Sequence, residues 1–236
     1  MIPFLAAAAL AAPPEDYTMR EGSGWAGFGK GSWVKVKTSL WIAGRAPSVS
    51  VTTSRLIEVT ADTLTIEMSS LEVLTVEEKS RLVLPARGEA GPGEKEDRRE
   101  TLADEELFAC GKSMPCSRSR VTVAGKEGKR VITLWTAREP RVVVKRVVET
   151  FDAKGASAGT ESWLLTSLAE TQTVEGRQFR CLAYATRSKD ARGDGEGTAL
   201  VSRNIPQQTV RFDLKMTREG VTTYTLAVQL LDFEAK

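Results

Sequence analysis

The chain has 236 residues, 41% of them apolar and 27% charged, with 33 basic against 31 acidic side chains and a formal charge of +2. That balance suits a folded protein of one large or two small domains, and it leaves no electrostatic footprint for nucleic acid or an anionic membrane as partner. Histidine is absent, so Ser-His-Asp, Cys-His and His-ligated zinc chemistry cannot be built within the chain.

Residues 1–12 form a short alanine-rich apolar run with a small-residue pattern at Ala9-Leu10-Ala11, followed by Pro13-Pro14-Glu15-Asp16. This reads as a secretory signal, which makes the expected location secreted or periplasmic. No stretch reaches the ~18 apolar residues of a membrane span. Residues 13–24 read as a flexible lead-in and 25–236 as a single β domain. Gly22-Ser23-Gly24-Trp25-Ala26-Gly27 matches a dinucleotide fingerprint by letter, but no strand precedes it and no helix follows. It reads instead as a glycine-rich approach to the sheet, with Trp25, Phe28 and Trp33 against the core, and no cofactor is expected.

Period-2 alternation begins at Trp33 and predicts a hairpin through Ala43-Gly44-Arg45, from Trp33–Trp41 into Val49–Val59. Leu64–Met68 and Arg81–Leu84 follow. The glycines and proline at 88 to 93 then precede a dense mixed-charge stretch, which predicts a charged loop at 87–106 with a helical turn over Leu102–Leu107. Strands resume at Ser117–Val123, Val131–Thr136, Val142–Phe151, Ser162–Val174 and Gln178–Thr186. A glycine-rich turn is expected from Lys189 to Gly197, then strands at Thr198–Ser202, Thr209–Met216 and Val221–Phe233. Short turns between neighbours imply an all-β antiparallel meander, and about a dozen strands imply a strongly curved sheet or open half-barrel.

An internal repeat underlies the second half. Gly111-Lys112-Ser113-Met114-Pro115-Cys116 returns sixty-five residues later as Gly176-Arg177-Gln178-Phe179-Arg180-Cys181. Each copy leads to a Thr-containing strand, a proline and a basic-apolar run: Thr133–Trp135, Pro140, Val143–Val147, and Thr198–Val201, Pro206, Val210–Leu214. Gly176 suits the first central position of a type II′ turn, which would set Val174 opposite Phe179 and, in the first copy, Ala109 opposite Met114. Cys116 and Cys181 then occupy equivalent inward positions, with Cys110 on the other face. A Cys116–Cys181 disulfide, a local Cys110–Cys116 bridge and buried free thiols all remain open.

Trp41, Trp135 and Trp163, with Phe179, are the candidate apolar ligand face, against the ordinary alternative that they fill the core. Asp190, Asp194 and Glu196 could offer oxygen ligands, but they lack the ligand pattern of a calcium loop, and no metal is expected. Glu58, Glu67, Glu149 and Glu161 are strand carboxylates that a histidine-free hydrolase would need in facing pairs; ordinary alternation would leave them exposed.

The pattern Gly-x-x-Phe/Met-x-Cys, a Trp- or Thr-containing strand, Pro and Val-Lys-Arg, with the opening Trp25-x-x-Phe28-x-x-Gly31-Ser32-Trp33-Val34, resembles uncharacterised exported bacterial β-proteins. Those are similar to the open half-barrel of LolA-like lipoprotein carriers. The resemblance covers most of residues 25 to 234; Met114 replaces the usual aromatic and Leu200 the tryptophan of the second copy. It implies a half-barrel fold, and no functional residue carries over. The expected function is therefore a non-enzymatic exported β protein that binds a lipid-like or apolar ligand on the concave sheet face. The alternative is an envelope structural or protein-interaction module without a small ligand, and a carboxylate-based hydrolase is remote.

Overall fold

A computed structural model describes residues 24–72, 78–86 and 88–236. The expected secretory signal, most of the lead-in, and Gly22 and Ser23 of the glycine phrase lie outside the described residues. The described chain forms β1 (Trp33–Ile42), β2 (Ser48–Val59), β3 (Thr63–Glu72), β4 (Glu78–Pro85), β5 (Lys95–Ala109), β6 (Lys112–Gly125), β7 (Gly128–Ala137), β8 (Val142–Asp152), β9 (Ser157–Val174), β10 (Arg177–Asp190), β11 (Gly193–Val201), β12 (Thr209–Arg218) and β13 (Val221–Glu234). Alternation drives these strands: on β1, Val34 is buried and Val36 half-buried, while Lys35 and Lys37 point to water. Among the described residues, no helix is long and apolar enough to cross a membrane.

All thirteen strands belong to one antiparallel sheet in the order β4-β3-β2-β1-β13-β12-β11-β10-β9-β8-β7-β6-β5. The fold is the all-β open curved sheet expected from the sequence. Its curvature follows from connectivity. β4 and β5 stand at opposite edges of the sheet, yet residues 86–94 alone join them. A flat sheet of this width would separate its edge strands by roughly 58 Å, whereas so short a connection spans at most about 35 Å. The sheet must therefore curl until its edges approach.

Three buried clusters hold it. Trp25, Phe28, Val34, Leu56, Ile66, Ile205, Leu230 and Phe233 pack beneath β1–β3 and β13. Met114, Cys116, Trp135, Val144, Leu165 and Tyr184 form the second cluster, and Val121, Val123, Ile132 and Val148 the third. β6 buries Met114 and Cys116 near its start but Val121 and Val123 near its end. Successive side chains point to opposite faces, so this one strand lends one face to the second cluster and the other to the third.

Three expectations are corrected. The charged stretch is not a loop to residue 106 and holds no helical turn: Lys95–Ala109 is the edge strand β5. Backbone pairing to β6 sets its conformation, and its charges find partners across the strand in Arg118–Glu105 at 2.8 Å and Arg138–Asp104 at 2.7 Å. The glycine-rich stretch is not a turn either; after Ala191 and Arg192 the chain re-enters the sheet as β11. The repeated hairpins turn at Cys110-Gly111 (φ 52° and 76°) and Glu175-Gly176 (φ 49° and 73°), with positive φ at both central residues. That is the type I′ pattern rather than II′. Ala109 pairs with Lys112 and Val174 with Arg177, so Met114 faces Leu107 and Phe179 faces Gln172. Each hairpin slips by two residues, which leaves side chains on their expected face, and Cys116 and Cys181 are both 2% exposed.

All three cysteines are free thiols. β7, β8 and β9 lie between Cys116 on β6 and Cys181 on β10, about 19 Å along a sheet, where a disulfide needs Cα atoms within ~7 Å. The repeat-bridging disulfide is accordingly not formed.

Candidate functional site

Residues directly opposite one another on paired strands share a face. Val148 pairs with Glu161, Glu161 with Ser188, Ser188 with Gly195 and Gly195 with Met216. One row over, Arg146 pairs with Trp163, Trp163 with Thr186, Thr186 with Gly197 and Gly197 with Leu214. These rows lie on the inner face of β8–β12, where Val148, Glu161, Thr186, Ser188, Phe212 and Leu214 line a cavity of about 310 Å³.

Glycine shapes its floor. A Cβ at Gly197 would lie 2.0 Å from the Asp213 carbonyl oxygen and 2.8 Å from Thr186 Oγ1, and one at Gly195 would lie 2.2 Å from Ser188 Oγ. Because β11 carries no side chains there, Thr186 and Ser188 lie flat across it. Their hydroxyl oxygens are buried without hydrogen-bond partners among the described residues, and Thr186 is only 3% exposed. Each such group costs about 1–3 kcal/mol relative to a satisfied one. Trp163 closes the adjoining end, stacked on Phe212 with ring centroids 5.9 Å apart and tilted against Tyr184 at 6.0 Å. Its indole N–H donates to Glu161 Oε1.

Charge enters at the β10–β11 turn. Arg192 donates through Nε to Asp190 Oδ2 at 2.9 Å and through its backbone N–H to Asp190 Oδ1 at 2.7 Å. The Arg192 hydrogen bond, working against burial, holds the Asp190 carboxyl below its usual range. Asp194 and Glu196 point to the opposite face, 3.6 Å from Lys189 and 3.9 Å from Arg187. Strand alternation therefore divides the three oxygen-bearing residues between two faces, and among the described residues no group of three or more metal-ligating side chains gathers. Of the four strand carboxylates, Glu161 lines the cavity. Glu67 lies on the other face, 3.7 Å from Arg81, while Glu58 accepts from Thr65 at 3.3 Å and Glu149 pairs with Val131.

The four aromatics expected to share a ligand face are distributed over several sites. Trp163 stacks on Phe212, which lines the cavity. Trp41 pairs with Thr225 on the face opposite Leu40 and Leu226, and lines a separate groove of about 400 Å³ with Val49 and Ala227. Trp135 is 8% exposed in the second core cluster, where its N–H donates to Glu105 at 2.8 Å and Lys145 Nζ sits 4.8 Å from its ring centroid. Phe179 packs edge-on against Phe233 at 5.2 Å, beneath Arg177. Sequence reasoning missed Thr186, Ser188 and Phe212. The available signal was Gly193, Gly195 and Gly197 at period 2, a strand with its side chains removed from one face.

No protein-family model matches the chain, and comparison with curated proteins returns no match. Among solved structures, the chain is similar to a LolA superfamily protein from Nitrosomonas europaea, at 8% identity over 92% of this chain and 89% of the other, with a TM-score of 0.39. It is also similar to a domain assigned to outer membrane lipoprotein sorting from Vibrio parahaemolyticus, at 13% identity over 91% of this chain and 87% of the other, with a TM-score of 0.38.

Proposed function

We propose that this protein is a non-enzymatic binding protein, exported from the cytoplasm, that takes up a lipid-like or apolar small molecule on the inner face of its curved sheet. The cavity of about 310 Å³ between β8 and β12 carries the reading. Val148, Phe212 and Leu214 supply apolar wall, the Trp163–Phe212 stack gives an aromatic boundary, and Glu161 with the cavity-edge Asp190–Arg192 pair supplies polar contacts. The cavity's volume is near the lower end of the ~300–1,000 Å³ of small-molecule sites, and its lining is mixed, with Thr150, Thr160, Thr186, Ser188 and Lys189 beside the apolar wall. Export rests on the alanine-rich run before residue 13.

Protein purified from its native host and analysed by mass spectrometry should carry a lipid, and a neutral fluorescent lipid probe should bind with quenching that Trp163→Phe reduces. Absence of both copurified lipid and probe binding would remove the proposal. A second reading, an envelope interaction module, is supported by the sheet edge at β5: among the described residues β5 pairs with β6 alone, and Phe108 upon it is 73% exposed. Crosslinking in the host would then trap protein partners through β5 in the absence of any small ligand.

A further inference from the structure

The connection between β4 and β5 has to travel from one edge of the sheet to the other, and residues 88–94 of it lie across the inner face of β6–β8. Ala90 packs on the third core cluster of Val121, Val123, Ile132 and Val148, together with Leu134. Arg130, on β7, holds the far end firmly. Its Nε donates to Glu94 Oε1 at 2.9 Å, Nη2 donates to Glu94 Oε2, and the same nitrogen reaches the Glu89 carbonyl at 3.3 Å. The near end is held differently. The Glu89 carboxylate meets Arg146 of β8 at 3.5 Å, beyond hydrogen-bond length, with the two side chains only 14% and 28% exposed. Among the described residues, neither side chain has another ionic or hydrogen-bonding partner.

A carboxylate buried to that degree needs more than one long ionic contact to offset its lost hydration. Arg146 meets this one carboxylate with a rigid fork of donors, a fork that matches a carboxylate or phosphate bidentately. Gly88 and Gly93, at φ 85° and 69°, flank the segment and supply backbone freedom at both its ends. Val148 belongs both to the surface under Ala90 and to the cavity wall, so lifting the strap would join the two into one continuous floor.

We infer that the strap occupies, in place of a ligand, the site of a single-chain anionic amphiphile, whose head group replaces Glu89 on Arg146 while its chain lies along Ile132, Leu134 and Val148, where Ala90 now packs. The inference rests on the binding function proposed above and adds the ligand's charge. Arg130 keeps its hold on Glu94, so only the Glu89 end exchanges. Trp163 stands directly opposite Arg146 and borders the head-group position. A cationic head would be repelled by Arg146, and a neutral one would gain nothing from it.

The test is displacement of a bound neutral naphthylamine probe by laurate and by methyl laurate, from the wild-type protein, Glu89→Gln and Arg146→Gln. Glu89→Gln releases the strap from Arg146 and should tighten laurate about fivefold, the size of one partly screened ion pair, and methyl laurate with it, since either chain must displace Ala90. Arg146→Gln should abolish any preference for laurate over its ester. A wild-type protein that does not prefer laurate over its ester, a preference that survives Arg146→Gln, or no effect of Glu89→Gln on laurate, would overturn the inference while leaving apolar binding in place. Failure of both ligands to bind would overturn the charge assignment and the binding function together.

Discussion

Thr186 lies flat over Gly197 of the neighbouring strand, so closely that a Cβ at position 197 would sit 2.8 Å from Thr186 Oγ1 and 2.0 Å from the Asp213 carbonyl oxygen. The second contact is with backbone and cannot be relieved by a rotamer change. Gly197→Ala should therefore push β11 away from β12, destabilise the protein by about 1–3 kcal/mol and weaken probe binding in the adjacent cavity. Urea unfolding and probe titration check it; a variant with unchanged midpoint and affinity would show that the floor is soft.

The anchor of the strap should be acid-labile. Burial opposes ionisation of Glu94, but the Arg130 hydrogen bond, the Gly91 N–H and the Arg130 charge outweigh it and hold the carboxyl below 4.5. Above pH 4.5 the group is ionised both folded and unfolded, and the pair contributes fully. As pH falls below 4.5 towards the depressed folded value, the unfolded chain takes up the proton first, and that stability is lost. Urea midpoints measured from pH 7 to pH 3 should fall less steeply for Glu94→Gln than for the wild-type protein.

Tyr184, 2% exposed, donates its hydroxyl to the Val143 carbonyl at 2.8 Å, at the bulged stretch of β8 that pairs with β7. Tyr184→Phe keeps the ring in the core but removes the donor from a buried carbonyl. A loss of about 1–2 kcal/mol is expected, seen as a lower denaturant midpoint with unchanged slope.

The thiols should differ sharply in reactivity. Burial, with a smaller contribution from the Glu170 charge, pushes Cys181 up to about 11, and burial with the Glu105 charge raises Cys116. Cys110 is raised by burial and partly relieved by Lys112, and it sits half-buried in a turn. Only the thiolate reacts with a disulfide reagent. At pH 8 Ellman's reagent should label Cys110 first, with Cys116 and Cys181 reacting only in denaturant. Three rapidly reacting thiols in the native protein would contradict the packing, and fewer than three in denaturant would reveal a disulfide.

Much of the architecture could be read along the chain. Alternation such as Val34, Val36 against Lys35, Lys37 marks a strand wherever one face is buried, and two-residue turns such as Glu175-Gly176 can join only antiparallel neighbours. β5 escaped because an edge strand takes its conformation from one neighbour's backbone groups and can be almost wholly charged. The first half of β11 escaped, while Thr198–Val201 did not, because glycines at 193, 195 and 197 erased the apolar half of the alternation there. The half-barrel resemblance seen in the sequence reappears among the solved structures, while the ligand face expected of Trp41, Trp135, Trp163 and Phe179 is divided among a groove, two packing sites and a cavity edge.

The sequence by itself determined most of the strands, their antiparallel succession, the burial of Cys116 and Cys181 and the exclusion of histidine chemistry, since each depends on composition or on contacts a few residues apart. Only the tertiary structure decided that β4 and β5 are opposite edges, that the segment between them straps the inner face, and that Glu161, Thr186, Ser188 and Phe212 meet around one cavity. Those are consequences of sheet order and curvature, set by pairings such as β1 with β13 that join distant parts of the chain and have no counterpart in local spacing.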